Sequence, residues 1–294
     1  MSVGEASLET AALAVRPVRT ARKTFVAPYA RWILPSTLVV LFLLMAFFPA
    51  LFTPLDPDAT EFKAALEPPS ADHIFGTDPI GRDLYTRVVY GAGLSLIVGV
   101  AATVFSIVVG AIVGAIAGIA GGIADRLISR VLDILLAFPG ILLAMLTVVV
   151  LGPSIVNLAI AIGLSSFPGS ARLVRAQVML VVRSGYVETA KTLGRSKFHL
   201  VTTHVIPNSI SPLLVLTTIG VGGAILSAAA LSFIGLGAAP PQSEWGLLLS
   251  DSRAQLQDAP WLGFFPGVVL VVAVIAITAL GRLVQERFEG RAPN

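Results

Sequence analysis

Cysteine is absent from the 294-residue chain, which excludes disulfides, thiolate metal sites and cysteine nucleophiles. Charge is scarce: Asp, Glu, Lys and Arg make up 13% of the residues, about half the ~25% of a soluble domain. A water-soluble globule and a disordered tail are both excluded by that deficit. Aromatics are few, with 15 Phe, 4 Tyr and 3 Trp. What remains is apolar: 55% hydrophobic residues, a mean hydropathy of +0.88 and 27 glycines. The apolar residues form continuous runs, unlike the ~10-residue alternating segments of a membrane β-barrel. The chain reads as an all-α, polytopic membrane protein of closely packed helices.

A helical span needs ~20 apolar residues. Six runs are assigned as spans: 32–52, 91–120, 134–151, 155–171, 209–235 and 262–281. The first follows a basic segment and is longer than the apolar region of a cleaved signal peptide, so it reads as a retained span. The fourth is expected to continue as a helix through residues 171–182 after leaving the hydrocarbon. Lys and Arg are retained on the cytoplasmic side. With the N-terminus inside, sixteen of the 20 basic residues fall in inner segments. Lys63, Arg82, Arg87 and Arg253 fall outside. Both termini are therefore expected in the cytoplasm. That topology also accounts for the basic excess, a net charge of +3, and nucleic-acid binding is not implied. Trp32, Trp245 and Trp261 stand at or near span ends, where amphipathic rings favour the headgroup zone.

Gly110, Gly114 and Gly118, followed by Gly122, recur every fourth residue and make a smooth helical stripe. Such a stripe lets another backbone approach closely, either within the chain or across a subunit seam.

The chemistry open to the polar segments is limited. There is no Gly-Lys pair, hence no phosphate-binding P-loop. His199 and His204 are five apart and point ~140° from one another on an α-helix, so a shared metal site is not expected. The six assigned spans contain no Asp, Glu, Lys or Arg, which removes the usual proton relays and ion sites of coupled carriers. Energy for active transport is expected from another polypeptide.

The segment 172–208 is too patterned for a simple connection. Helical patterning runs to Leu193, breaks at Gly194, resumes from Ser196 as N-cap and is expected to stop at Pro207. Two short helices at an angle would form a knob projecting into the cytosol. Leu193, Phe198 and Leu200 are its candidates for apolar insertion into a partner, with Lys191, Arg195 and Lys197 around them.

At these residues the sequence resembles the EAA-type loop of ABC importer membrane subunits, E-A-A-x3-G-x9-I-x-L-P. Glu188, Ala190, Gly194, Ile206 and Pro207 match, while Thr189 and His204 depart. His204 to Asn208 resembles the H-x-x-P-N ending of the peptide-importer branch. The stretch FGTDPIGRD, residues 75–83, is similar to the segment after the first span in C-type subunits of dipeptide and oligopeptide permeases. It contains Gly76, Thr77, Asp78, Gly81, Arg82 and Asp83. DRLISRVLDILLAFP at 125–139, ARLVR at 171–175, LSFIGLG at 231–237 and FPG at 265–267 follow in the family's order. Ala228 stands where that family often has glutamate, and Gly281-Arg282-Leu283 replaces an acidic G-D-x-L-R-D ending.

The resemblance implies the type I ABC importer permease fold, with six transmembrane helices and a cytoplasmic coupling loop at 184–207. The expected division is a cytoplasmic segment at 1–31, a first span at 32–52 and an extracytoplasmic loop at 53–90. A permease core at 91–281 and a tail at 282–294 complete it. Glu188, Ala190, Leu193, Gly194, Arg195, Phe198, Leu200, His204 and Pro207 would couple to an ATPase. The chain itself would be non-catalytic and without a cofactor, ATP and Mg being bound by its partners. Those partners would be a homologous B-type permease, two cytoplasmic ABC ATPases and an extracytoplasmic binding protein, with the chain itself set in the lipid bilayer of the bacterial inner membrane. The implied cargo is dipeptides or oligopeptides. Nickel chelate, glutathione, haem or another small solute is the alternative within the family, and a stand-alone channel or secondary carrier the alternative outside it. The 76–83 segment is expected to brace the outer loop against the second span rather than touch solute.

Overall fold

The structure, a computed structural model, describes residues 30–288, without the side chains of Ala30, Lys197, residues 210–216 and Phe288. Residues 1–29 and 289–294, nearly all of the first expected cytoplasmic end and the last six residues of the second, lie outside the described residues. Ten α-helices are described, and among the described residues there is no strand: α1 (Ala30–Phe47), α2 (Leu84–Ala120), α3 (Gly122–Ala137), α4 (Gly140–Leu151), α5 (Ile155–Val182), α6 (Gly185–Thr192), α7 (Lys197–Leu200), α8 (Ile206–Phe233), α9 (Trp245–Ser252) and α10 (Trp261–Phe288).

By length and composition, α2 and α10 are each able to cross a membrane, and the bent pair α3–α4 is a third if counted as one span. The 37 residues of α2 rise ~55 Å, well beyond a ~30 Å hydrocarbon layer. It begins at Leu84 rather than at 91, because Asp83 caps it: Oδ1 accepts from the Thr86 N–H at 2.7 Å. Arg87, expected in a loop, consequently lies in its first turn.

The run 134–151 is not one straight helix. It breaks between α3 and α4 with a 93° bend. Pro139 pushes the preceding residue out of helical geometry, and Phe138 is extended at φ −83° and ψ 139°. In α5 the chain stays helical through Pro168 and on to Val182, as the patterning of 171–182 indicates.

The helices pack around α2. Gly110 meets Ser170, Gly114 meets Ala171 and Val174, and Gly118 meets Val178, so α2 and α5 run side by side in the same direction. Cβ atoms built at Gly110 and Gly118 would lie 2.6 Å from Ser170 Cβ and Val178 Cγ1. The glycine stripe is therefore filled from within the chain. It ends at Gly118, since Gly122 has open space and belongs to the turn into α3. Gly99 against Ile225 and Gly220 against Thr103 set α8 antiparallel to α2. One apolar core joins Phe42, Leu84, Val88, Ile225, Trp245 and Leu262. A second joins Val98, Ala102, Val148, Leu158, Ile162 and Leu231.

Candidate functional site

Three features stand out along α2: a polar brace at its N-terminal end, a cavity at its middle and a helical hairpin at its far end. The brace is built from FGTDPIGRD. Asp78 Oδ1 accepts from the Ile80 and Arg82 N–H groups at 3.0 Å, closing the turn locally. Its Oδ2 accepts from Arg82 Nε at 2.6 Å and from Arg87 Nη1 at 3.1 Å. Arg87 Nη2 then donates to the Pro241 and Gln242 carbonyls at 3.1 and 3.2 Å. One buried guanidinium thus ties the loop before α2 to the loop before α9. Asp83, besides capping α2, receives His73 Nδ1 at 2.9 Å. Thr77 Oγ1 donates to the Ala64 carbonyl and accepts from the Glu67 N–H at 2.8 Å. Gly76 and Gly81 have φ of +76° and +78°, and Glu67 and Glu61 carbonyls occupy the space a side chain would need.

The second half of the brace centres on Trp245, noted in the sequence, and on Glu244 and Ser95, which were not. Glu244, 1% exposed, caps α9 by accepting from the Gly246 and Leu247 N–H groups at 3.0 and 2.9 Å. Ser95 donates to it at 3.3 Å and accepts from the Trp245 N–H at 3.1 Å. The Trp245 indole N–H donates to the Val88 carbonyl at 2.9 Å. Trp245 is fully buried, in place of the headgroup position expected for it. A glutamate directly before an apolar helix was the available signal, since an acid at an N-cap satisfies free N–H groups.

Between α2, α5 and α8 lies a cavity of about 570 Å³, within the range of ligand-sized pockets. Its polar groups are hydroxyls: Thr103, Ser106, Ser166, Ser170 and Ser227, with Gly220 and Gly223 opposite. Ser106 and Ser170 hydroxyls lie 3.1 Å apart across the α2–α5 contact. Among the described residues that line it, none is charged. The sequence carried a signal for it in the spacing of Thr103 with Ser106 and Ser166 with Ser170, each pair on one helical face.

At the far end, α5 turns at Ser184 into α6, and Gly194 reverses the chain with φ +78°. Gly194 faces open space, so the backbone conformation and not crowding demands glycine. Ser196 caps the return, its Oγ accepting from the His199 N–H at 3.3 Å. The return helix does not stop at Pro207. It passes through a π turn at Val201–Val205, where the Ile206 N–H donates to the Val201 carbonyl, and continues as α8 with Pro207 in its first turn.

That π turn also overturns the expected divergence of His199 and His204. A π turn closes its bond at i+5, which brings residues five apart nearly over one another. The two rings are 6.3 Å apart, and Tyr186 lies 6.1 Å from His204. Leu193 and Phe198 stand on either side of Gly194 and are 78% and 79% exposed. Leu200 is corrected: at 6% exposure it is packed inside the chain and unavailable for insertion. Glu188, Arg195 and Pro207 are exposed, Ala190 and His204 half-buried. The side chain of Lys197 lies outside the described residues. Outside the spans, Arg175 holds α3 to α5 through Asp125, with Nη2 to Oδ2 at 2.8 Å. That hydrogen bond holds the Asp125 carboxyl below its ordinary value.

An all-helical apolar body with an uncharged cavity and a projecting hairpin is the architecture of a solute permease subunit. Residues 106–292 match the family of binding-protein-dependent transport system inner membrane components, and the chain belongs to that family. It is 45% identical over 244 residues to the dipeptide transport system permease protein DppC of Alkalihalophilus pseudofirmus, covering 83% of this chain and 80% of that one. It is 37% identical to the probable D,D-dipeptide transport system permease protein DdpC of Escherichia coli K12, covering 87% and 86%. It is 38% identical to the glutathione transport system permease protein GsiD of Escherichia coli, covering 83% and 80%. Among solved structures, an inward-facing form of the MetNI methionine ABC transporter aligns with a TM-score of 0.56 at 20% identity, over 69% of this chain and 96% of that one. An amino acid ABC transporter aligns with 0.55 at 15% identity, over 69% and 94%. The fold is that of type I ABC importer permeases. The chain is a non-catalytic inner-membrane component, and its transporter includes separate ATPase and substrate-binding proteins.

Proposed function

We propose that this chain is the C-type membrane subunit of an ABC importer that carries dipeptides or short oligopeptides into the cytoplasm. The names of the dipeptide relatives support that cargo, and the glutathione relative extends it to a tripeptide. In this reading the chain crosses the membrane six times with both ends in the cytoplasm, as its Lys and Arg distribution favours. It pairs with a homologous B-type permease, and two ABC ATPases with bound Mg-ATP dock from below. An extracytoplasmic binding protein delivers solute to the braced face.

The observation that carries this reading is the pair Leu193 and Phe198. Two large apolar side chains lie almost bare at the tip of an otherwise polar hairpin, where burial against a partner returns ~25 cal/mol per Å². Glu188, Ala190, Gly194, Arg195, His204 and Pro207 shape and surround that tip. Because α6 follows α5 and the π turn leads directly into α8, displacement of the hairpin acts on two helices that line the cavity. Nucleotide shifts the pathway only as far as its binding favours one hairpin position over the other. The hydroxyl lining suits a peptide backbone, whose amides need donors and acceptors but no fixed countercharge.

Because the chain has no cysteine, Leu193→Cys and Phe198→Cys give single-site crosslinking on a clean background. In reconstituted complex with partner subunits, both should capture an ATPase, and ATP-dependent uptake of labelled dipeptide should require it. A fully active complex in which neither position touches an ATPase would overturn the assignment.

A further inference from the structure

A groove lies between α1 and α10, apart from the cavity between α2, α5 and α8. It encloses about 530 Å³ and has apolar walls from Pro35, Ile275 and Leu283, with Thr278 beside them. Two guanidinium groups line it, Arg31 from the first turn of α1 and Arg282 from the last turns of α10. Its depth follows from helix length. From Trp261 to Arg282, α10 rises ~32 Å, close to the ~30 Å of a hydrocarbon layer. With Trp261 in one headgroup zone, Arg282 reaches the other, and Ile275 lies ~10 Å inside the hydrocarbon.

The charge at this level is unbalanced. Arg31 Nη1 lies 3.2 Å from Glu286 Oε2, with side chains 38% and 44% exposed, and exposed pairs of this kind are weak. Among the described residues Arg282 has no ion pair. The one paired carboxylate here belongs to Arg31, so the guanidinium of Arg282 leaves the groove with a net positive charge among the described residues. Guanidinium forks match phosphate oxygens. The walls below them are bare, Ile275 being 62% exposed, and a free anion would leave them so.

We propose that this groove holds an anionic phospholipid, its phosphate between Arg31 and Arg282 and one acyl chain along Pro35 and Ile275. Basic pockets between membrane helices at the headgroup level are built for such lipids. The site would anchor α1 to α10 at the same end of the molecule as the coupling hairpin.

The test uses the assembled transporter in bilayers of equal phosphatidylglycerol and phosphatidylcholine, extracted gently, with retained lipid counted by native mass spectrometry. The wild type should keep phosphatidylglycerol several-fold over phosphatidylcholine. Arg282→Asp should abolish that preference, and Arg282→Lys should keep most of it. Ile275→Trp fills the groove while leaving both guanidiniums, and should lower phosphatidylglycerol retention on its own. Undiminished preference in an intact Arg282→Asp or Ile275→Trp complex would overturn the proposal. So would capture of a partner subunit by a crosslinker at position 275, or retention of inorganic phosphate in place of lipid.

Discussion

Arg87 and Asp78 form an ion pair at 3.1 Å with side chains only 2% and 5% exposed. One partner belongs to the loop before α2 and the other to the helix itself, and the guanidinium continues to the Pro241 and Gln242 carbonyls. Removing one member of a buried pair costs up to ~3–5 kcal/mol; loss of Arg87 leaves Asp78 only its Arg82 partner and takes the donor from the Pro241 and Gln242 carbonyls. Arg87→Leu should therefore lower the melting temperature of the detergent-purified subunit sharply. Asp78→Asn, which keeps one acceptor oxygen, should lower it less. Equal melting curves for the Arg87→Leu and wild-type proteins would show that the brace holds nothing.

The α2–α5 seam gives a second expectation. A side chain at Gly114 would meet the Ala171 carbonyl and lie 2.8 Å from Val174 Cβ. Gly114→Val should force the helices apart, with an overpacking cost of ~1–3 kcal/mol. Gly140→Ala, where space is open, should be tolerated or mildly stabilising, because alanine is the better helix former. Thermal melting of the two variants side by side separates them.

At the hairpin, Gly194→Pro fixes φ near −65° where +78° is needed, and removes the N–H that donates to the Lys191 carbonyl at 3.1 Å. Uptake and transport-stimulated ATPase activity should fall together while membrane insertion is unchanged. Phe198→Asp should weaken ATPase association without disturbing the fold, because Phe198 is 79% exposed. Pull-down of the ATPase with each variant measures the difference.

Asp125 gives the pH dependence. Its carboxyl is held below the ordinary 3.8, chiefly by the hydrogen bond from Arg175. A depressed folded-state pKa means that the α3–α5 tie is fully present above the unfolded value of ~3.9. It is lost as pH falls through the lower folded value. Between pH 7 and 5 the Asp125→Asn and wild-type proteins should differ by a constant stability increment. Below about pH 4 the difference should shrink as the wild-type carboxylate protonates. A gap still undiminished at pH 3 would remove the ion pair from the account.

The hydrophobic runs, glycine stripe and order of motifs were legible in the sequence because each is a local or one-dimensional signal. They identified an all-α membrane protein and the hairpin with its bend at Gly194. They left open whether the stripe faced the chain itself or another subunit, and the contacts of Gly110, Gly114 and Gly118 with α5 answer that. The break at Phe138–Pro139 sat in the sequence as a proline whose effect was not weighed. Arg87 and Glu244 were missed because a charge is counted alike whether it is solvated or buried. The ties that fix them in the fold, from Arg87 to the Pro241 and Gln242 carbonyls and from Ser95 to Glu244, span 149 to 155 residues of sequence.

What the sequence determined by itself was composition and periodicity: apolar runs that must leave water, and the distribution of basic residues along the chain. What only the tertiary structure decided was adjacency. The cavity hydroxyls come from three separate helices, the histidine pair depends on a π turn, and Leu200 is hidden by packing that no local pattern encodes. The physical reason is that hydrophobicity acts on each residue singly. Hydrogen bonds and close packing act between residues, and their range is a few ångströms in space whatever the separation along the chain.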